Sequence, residues 1–189
     1  MTSKLQKIGG RDIDLLLVGV GEDGRTSAGV GGITRLQKFL FLLEKEFGVV
    51  PAGEGFNFEP YKAGPYSPKL YDDLELLENL GLVRSEVSAE ATDAEAAEVD
   101  RLTFEELMGE EPAADAYEER KYSLTRDGAL KVKTLMERGE LKPVTEAVTA
   151  LKRKYGKYTL NDLLYYVYTK YPDMATESEI KDKVLRRGH

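Results

Sequence analysis

A mainly α-helical protein with one small β-hairpin is what this sequence predicts, and three observations carry that expectation. Apolar residues recur three and four positions apart through most of the 189 residues, the spacing of helices that bury one face. Helix punctuation falls in the matching places: Gly48 and Gly81 follow two apolar stripes, Pro68 opens the second of these and Pro143 opens a third. Extended character is confined to short stretches, of which Leu82–Arg84 and Lys121–Leu124 read as a hairpin with a very long tip.

Taken in order, residues 12–18 (DIDLLLV) form a short first helix or a strand. Thr34–Phe47 is the clearest helix: Leu36, Phe39, Leu40, Leu43 and Phe47 share one face. Thr34 with Gln37 three positions later reads as a capping box, and Gly48 as the stop. Phe56–Tyr61 is extended. Ser67-Pro68 starts the next helix, hydroxyl at the cap and proline in the first turn, with Leu70, Leu74 and Leu77 inward. After the hairpin strands, Thr125 caps a helix to about Arg138 with Leu130 and Leu135 inward. Pro143 starts another, burying Val144, Ala147, Val148, Leu151 and Tyr155. Thr159–Tyr171 follows, bounded by Pro172, and Thr176 with Glu179 reads as a capping box for a tail helix to Arg186. The order helix, helix, helix, hairpin, helix is that of a winged helix-turn-helix. The expected division is a winged-helix domain at 1–140, with an acidic wing insertion at about 85–119, and a C-terminal helical extension at 141–189.

Composition removes most chemistry. Hydrophobic residues make up 41% and charged residues 32%, enough to build a core and too apolar for wholesale disorder. There is no cysteine, so disulfides, zinc–cysteine sites, iron–sulfur clusters and thiol catalysis are excluded. The only histidine is the last residue, His189, so a Ser-His-Asp triad and His-based metal or acid–base chemistry lack their central part. No apolar run reaches the roughly 18 residues that span a bilayer, and no signal-peptide layout is present. The expectation is a cytoplasmic protein with no membrane contact, no cofactor, no metal and no catalytic residues.

The net charge of −7 is unevenly spread: +1 over residues 1–70, −14 over 71–120 and +6 over 121–189. The acidity gathers in Ser85–Glu119, rich in Ala, Glu and Asp, which reads as a solvated insertion or as a negative flap over a basic surface. Within it, Leu102, Phe104, Leu107 and Met108 suit one short helical turn.

Several stretches together resemble a known group. The run Gly32–Glu44 (GITRLQKFLFLLE) resembles the opening helix of the prokaryotic YwgA-like proteins and, more loosely, the Panacea or SocA-type antitoxin domain. Pro60–Ser67 (PYKAGPYS) with Leu70, Tyr71 and Leu74, Leu80–Val83 (LGLV), and Tyr122–Thr125 (YSLT) with Gly128 agree with it, as does Leu163–Tyr168 (LLYYVY) with Tyr171-Pro172. The resemblance covers about residues 12–180 apart from the acidic insertion. It implies a winged-helix protein related to regulators and antitoxins, and it implies no reaction.

Three motifs bear on chemistry. Gly19-Val20-Gly21-Glu22-Asp23-Gly24 has the spacing G-x-G-x-x-G after an apolar run, and stands one residue from a P-loop with Arg25 in the lysine position. The chain continues Ser27-Ala28-Gly29-Val30-Gly31-Gly32, which starts no helix, so the glycines read as an interhelical loop. The pairs Asp72-Asp73, Glu105-Glu106 and Glu110-Glu111 point apart on helices and read as solvent-facing rather than as acid–base dyads. Lys152-Arg153-Lys154-Tyr155-Gly156-Lys157-Tyr158 leads into Tyr165, Tyr166, Tyr168 and Tyr171. Six of the eleven tyrosines thus lie in 17 positions, a density that suits core packing, a protein partner or nucleic acid.

The helix from Ser67 would be the reading helix, yet its polar residues are Lys69, Asp72, Asp73, Glu75, Glu78 and Asn79, a poor surface for phosphates. Basic contacts would come from elsewhere. The candidate nucleic-acid or partner-binding set is Arg35, Lys38, Lys62, Lys69, Lys152, Arg153, Lys154, Lys157, Tyr158 and Tyr165. The reading is a non-enzymatic winged-helix protein with transcriptional-regulator-like DNA binding. The alternative is an antitoxin- or adaptor-type protein–protein interaction module without direct DNA reading, its partner a toxin or another regulator. A homodimer is compatible with either.

Overall fold

The first helix is set by burial on every side. In the structure, a computed structural model that describes residues 8–27, 29–53, 55–87, 99 and 120–187, α1 spans Gly10–Gly19, and Ile13, Leu15, Leu16, Leu17 and Val18 are all buried. A helix apolar all round belongs at the centre, and α1 packs against four other helices. This resolves the helix-or-strand ambiguity of residues 12–18.

The chain then makes a two-residue strand β1 (Val30–Gly31) and enters α2 (Ile33–Phe47). Thr34 does not cap α2. The cap position is Gly32, at φ 81°, with no side-chain cap bond. Gln37 is drawn instead to a distant backbone: its Nε2 donates to the Ser67 carbonyl at 2.9 Å and its Oε1 accepts from the Ser67 N–H at 2.9 Å. A buried backbone pair without partners outweighs a local cap. Gly48 ends α2 at φ 67°, as expected of a left-handed cap.

The extended stretch near Phe56 carries β2 (Glu59–Tyr61), which turns back into a second strand, β3 (Gly64–Tyr66). That return strand is the element the sequence hid behind Gly64 and Pro65. α3 (Pro68–Asn79) begins with proline as expected, but the Ser67 hydroxyl donates to the Phe56 carbonyl at 2.5 Å rather than capping the helix. Leu70, Leu74 and Leu77 are buried, and Gly81 makes the turn at φ 68°.

β4 (Val83–Val87) and β5 (Arg120–Leu124) pair antiparallel, with Val83 opposite Leu124 and Val87 opposite Arg120. β1 joins the far edge of β5, giving the sheet order β1–β5–β4. The strand therefore runs past Arg84 to Val87, into the segment read as insertion. Of the stretch between, only Val99 is described, and it is buried with the core. Leu102, Phe104, Leu107 and Met108 lie outside the described residues.

α4 (Arg126–Glu137) is capped by Thr125, whose Oγ1 accepts from the Gly128 N–H at 3.0 Å. Its inward face is Gly128, Val132 and Leu135. Leu130 is not inward but 58% exposed, because it falls two positions from Val132 and so off that stripe. After a 3₁₀ turn at Gly139–Leu141 comes α5 (Lys142–Tyr155), burying Val144, Val148, Leu151 and Tyr155. α6 (Leu160–Lys170) carries a true capping box between Thr159 and Asp162. α7 (Lys181–Arg187) starts later than expected. Thr176 donates to the Asp173 carbonyl beside a 3₁₀ turn (Pro172–Ala175), and the Glu179 N–H donates to the Lys62 carbonyl. One apolar core runs from Ile8 to Val184 and is continuous across residue 140.

Candidate functional site

Seven of the ten expected site residues lie around the junction where α2, α5 and α6 come together. Helical spacing sorts the basic run at the end of α5. Lys152 follows Val148 by four positions and precedes Tyr155 by three, so it points inward and is 7% exposed, while Arg153 and Lys154 face out. Arg153 donates to the Glu22 carbonyl at 3.2 Å, which ties α5 to the glycine-rich loop. Arg35, from the first turn of α2, donates to the Tyr158 carbonyl at 2.8 Å.

Two cavities flank this junction and share Lys157. One, about 420 Å³, is lined by Tyr158, Tyr165, Tyr166 and Lys170 of the α5–α6 corner. The other, about 430 Å³, lies between the glycine loop and α5, with Arg35 and Lys152 on its wall. So Arg35, Lys152, Lys157, Tyr158 and Tyr165 form one neighbourhood. Lys38, Lys62 and Lys69 lie elsewhere. Lys38 departs from the expectation of a binding surface: it is 1% exposed, and its Nζ donates to the Pro65 carbonyl at 3.0 Å, so it holds α2 to β3. Lys62 pairs with Glu179 at 3.7 Å, and Lys69 lies 6.0 Å over the Phe56 ring.

Glu46 organises the corner, and nothing in the sequence marked it. Its carboxylate accepts from the hydroxyls of Tyr155 (2.5 Å), Tyr166 (2.7 Å) and Tyr171 (3.3 Å) and from the ammoniums of Lys170 (2.8 Å) and Lys154 (3.1 Å). Burial by itself raises the Glu46 pKa; the bonds from Lys170, Tyr155, Tyr166 and Lys154 outweigh it and hold the carboxyl at about 2. The Tyr155 hydroxyl is pushed up, by burial first and by Glu46 next, so it remains a donor. This knot consumes Lys154 and much of the tyrosine cluster in structure.

Lys152 has the opposite environment. Its Nζ has no hydrogen-bond partner among the described residues, and burial pulls its pKa down to about 7. The loop beside it is not a phosphate cradle of the P-loop kind. The N–H of Gly21 donates to the Arg25 carbonyl, that of Gly24 to the Gly21 carbonyl, that of Ser27 to the Gly19 carbonyl and that of Gly29 to the Ser27 hydroxyl.

A second buried titratable site joins α1 to α3. Asp14 is fully buried, and its pKa is raised well above the ordinary value by burial and then by the neighbouring Asp73 carboxylate. Asp73 in turn accepts from Arg11 Nε at 3.0 Å. Asp73 is therefore buried, and of the adjacent pair only Asp72 faces solvent.

Among the described residues no helix is long and apolar enough to cross a membrane. No family model, no curated protein and no solved structure matches the chain.

Proposed function

We propose that this chain is a non-enzymatic winged-helix interaction module of the antitoxin or adaptor type, which meets a basic protein partner through the outer face of α3. The winged-helix reading draws on the order α1, β1, α2, α3, β4, β5, into which the separate β2–β3 hairpin is inserted between α2 and α3, and on the sheet order β1–β5–β4. In that order α3 comes immediately before the β4–β5 hairpin, where a winged helix carries its reading helix. The resemblance of Gly32–Glu44 and Pro60–Ser67 to the YwgA-like and antitoxin groups supports the same reading.

The observation that carries the choice of partner is the charge of that helix. With Asp73 withdrawn to Arg11, α3 still exposes Asp72 and Glu75, with Glu78 half-buried beside them, and Lys69 lies along Phe56. Such a face repels a phosphate backbone and attracts Lys- and Arg-bearing surfaces. One feature favours DNA as a second reading: Arg25, Arg126 and Lys133 line a single groove of about 460 Å³ beside α4. Contacts there would be to phosphate and would read no bases.

Two measurements separate the readings. A partner captured from the native host is lost when Asp72 and Glu75 are both changed to Lys, with the thermal midpoint unchanged because both side chains are exposed. Wild-type binding to mixed duplex DNA is weaker than the roughly 10⁻⁴ M of ordinary non-specific binders at physiological salt. Tight, salt-sensitive DNA binding that disappears in Arg126→Glu/Lys133→Glu would reverse the assignment in favour of a regulator.

A further inference from the structure

We propose that the cavity between the glycine loop and α5 is a binding site for a small phosphorylated molecule, its phosphoryl group taken by Lys152, Arg35 and Lys157. No residue of α3 takes part, so the proposal is independent of how that helix is used.

Lys152 stands apart from the other lysines of this protein that are buried or bonded. Lys38 is as deeply buried and gives its ammonium to the Pro65 carbonyl; Lys154 and Lys170 give theirs to Glu46. Lys152, 7% exposed, gives its Nζ to nothing among the described residues, yet it lines a cavity. An unpaired ammonium taken out of water is costly, and a bound anion removes that cost. The rest of the wall has the same sign. α2 enters the cavity's edge without a side-chain cap and without an acidic residue in its first turn, where Arg35 stands instead. The positive end of its dipole is therefore uncompensated. Against Arg35, Lys152 and Lys157 the lining holds one acidic residue, Glu22, which is exposed.

The space itself comes from glycine. Gly21, Gly29 and Gly31 give one wall no side chains. Gly29 sits at φ 104° with its backbone so close to β5 that a Cβ would overlap the Tyr122 carbonyl oxygen, and this packing holds the arch in place. A volume of about 430 Å³ exceeds what a bare phosphate needs and lies within the usual range of small-molecule sites, roughly 300–1,000 Å³. Phe39 on the same lining offers an apolar surface to an organic body. Arg35, Lys157 and a Lys152 that the bound anion itself keeps protonated, against one carboxylate, suit a group carrying about −1.5 to −2 at neutral pH, as a phosphate monoester does. Lys152 is too recessed to reach the backbone of a duplex.

Thermal unfolding of the full chain with inorganic phosphate, AMP and adenosine tests this at constant ionic strength. At about one hundred times Kd, AMP raises the midpoint by roughly 5–10 °C. Adenosine raises it by nothing, and AMP binds more tightly than inorganic phosphate. Lys152→Met leaves the ligand-free midpoint equal or higher and abolishes the response, whereas a purely structural lysine would lose ligand-free stability on the same change. Lys157→Ala, at an exposed position, keeps the fold and weakens AMP binding several-fold, which holds the test open should Lys152→Met fail to fold. The proposal is overturned if no phosphorylated probe shifts the midpoint at millimolar concentration, or if Lys152→Met responds like wild type. Equal binding of AMP and inorganic phosphate would overturn the organic ligand and leave a site for free phosphate.

Discussion

Replacing Gly128 with alanine destabilises the protein by about 3 kcal/mol or more, the sign opposite to that of an ordinary helix glycine. In a helix interior glycine is normally worse than alanine by roughly 0.5–1 kcal/mol, so the exchange usually stabilises. Here a Cβ would overlap the Leu82 carbonyl oxygen and lie 2.8 Å from its carbon. Those atoms are backbone and cannot rotate away. The Leu82 carbonyl accepts the Thr125 N–H at 3.1 Å, the Thr125 hydroxyl donates to the Gly81 carbonyl at 2.5 Å, and the Gly128 N–H donates back to that hydroxyl. Relief of the clash must pull the start of α4 off the entry to β4 and break this set together. The thermal midpoint should fall by about 6–12 °C or more. Gly139→Ala is the control: nothing lies within 4 Å of its Cβ position, and its midpoint should scarcely move. Equal midpoints for the two variants would show that the junction yields.

What the sequence made legible was local. Thr125 caps its helix because a hydroxyl three residues from the N–H it serves needs no help from the rest of the chain. Gly48, Gly81, Pro68 and the apolar stripes of α2, α3 and α5 are of the same kind. Apart from Leu130, which simply falls off its helix stripe, and Thr176, which bonds to Asp173 three positions back, the main misreadings have long-range causes. Gln37 looked like a capping-box partner and serves Ser67, 30 positions away. Lys38 looked like a binding contact and Asp73 solvent-facing, and both are buried with partners on other elements. No alternation of apolar and polar residues marked β3, whose three residues are Gly64, Pro65 and Tyr66. Within the site, the Lys and Tyr run announced itself by density, but that density could not say that Lys152 turns inward while Lys154 turns out to Glu46. Glu46 itself is one glutamate among the charged residues at the end of α2, and its partners lie 108 to 125 positions further on.

Glu46→Gln should cost about 2 kcal/mol at neutral pH, and the loss should vanish in acid. Two interactions compete for the credit. Lys154 and Lys170 are 52% and 47% exposed at their side chains, so both return to water when the charge is removed, and solvent screening leaves the ion pairs a small share. The tyrosine hydroxyls are part-buried and held in position to donate to one carboxylate. Glutamine offers them one oxygen in place of two and brings an NH₂ into a ring of donors. The hydroxyl bonds therefore carry most of the effect, and Tyr166→Phe should cost less in the Glu46→Gln background than in wild type. The sign with pH follows from the depressed carboxyl. Its folded pKa of about 2 lies below the ordinary 4.5, so the carboxylate's stabilisation is complete above that ordinary value and is lost as pH falls through 2. Urea midpoints of wild type and Glu46→Gln, compared from neutral pH downward, should differ by a constant amount until about pH 4.5 and converge by about pH 2. Other carboxylates titrate in both proteins and cancel in the comparison. A gap that persists unchanged to the acid end would show that the charge of Glu46 is not what holds α2, α5 and α6 together.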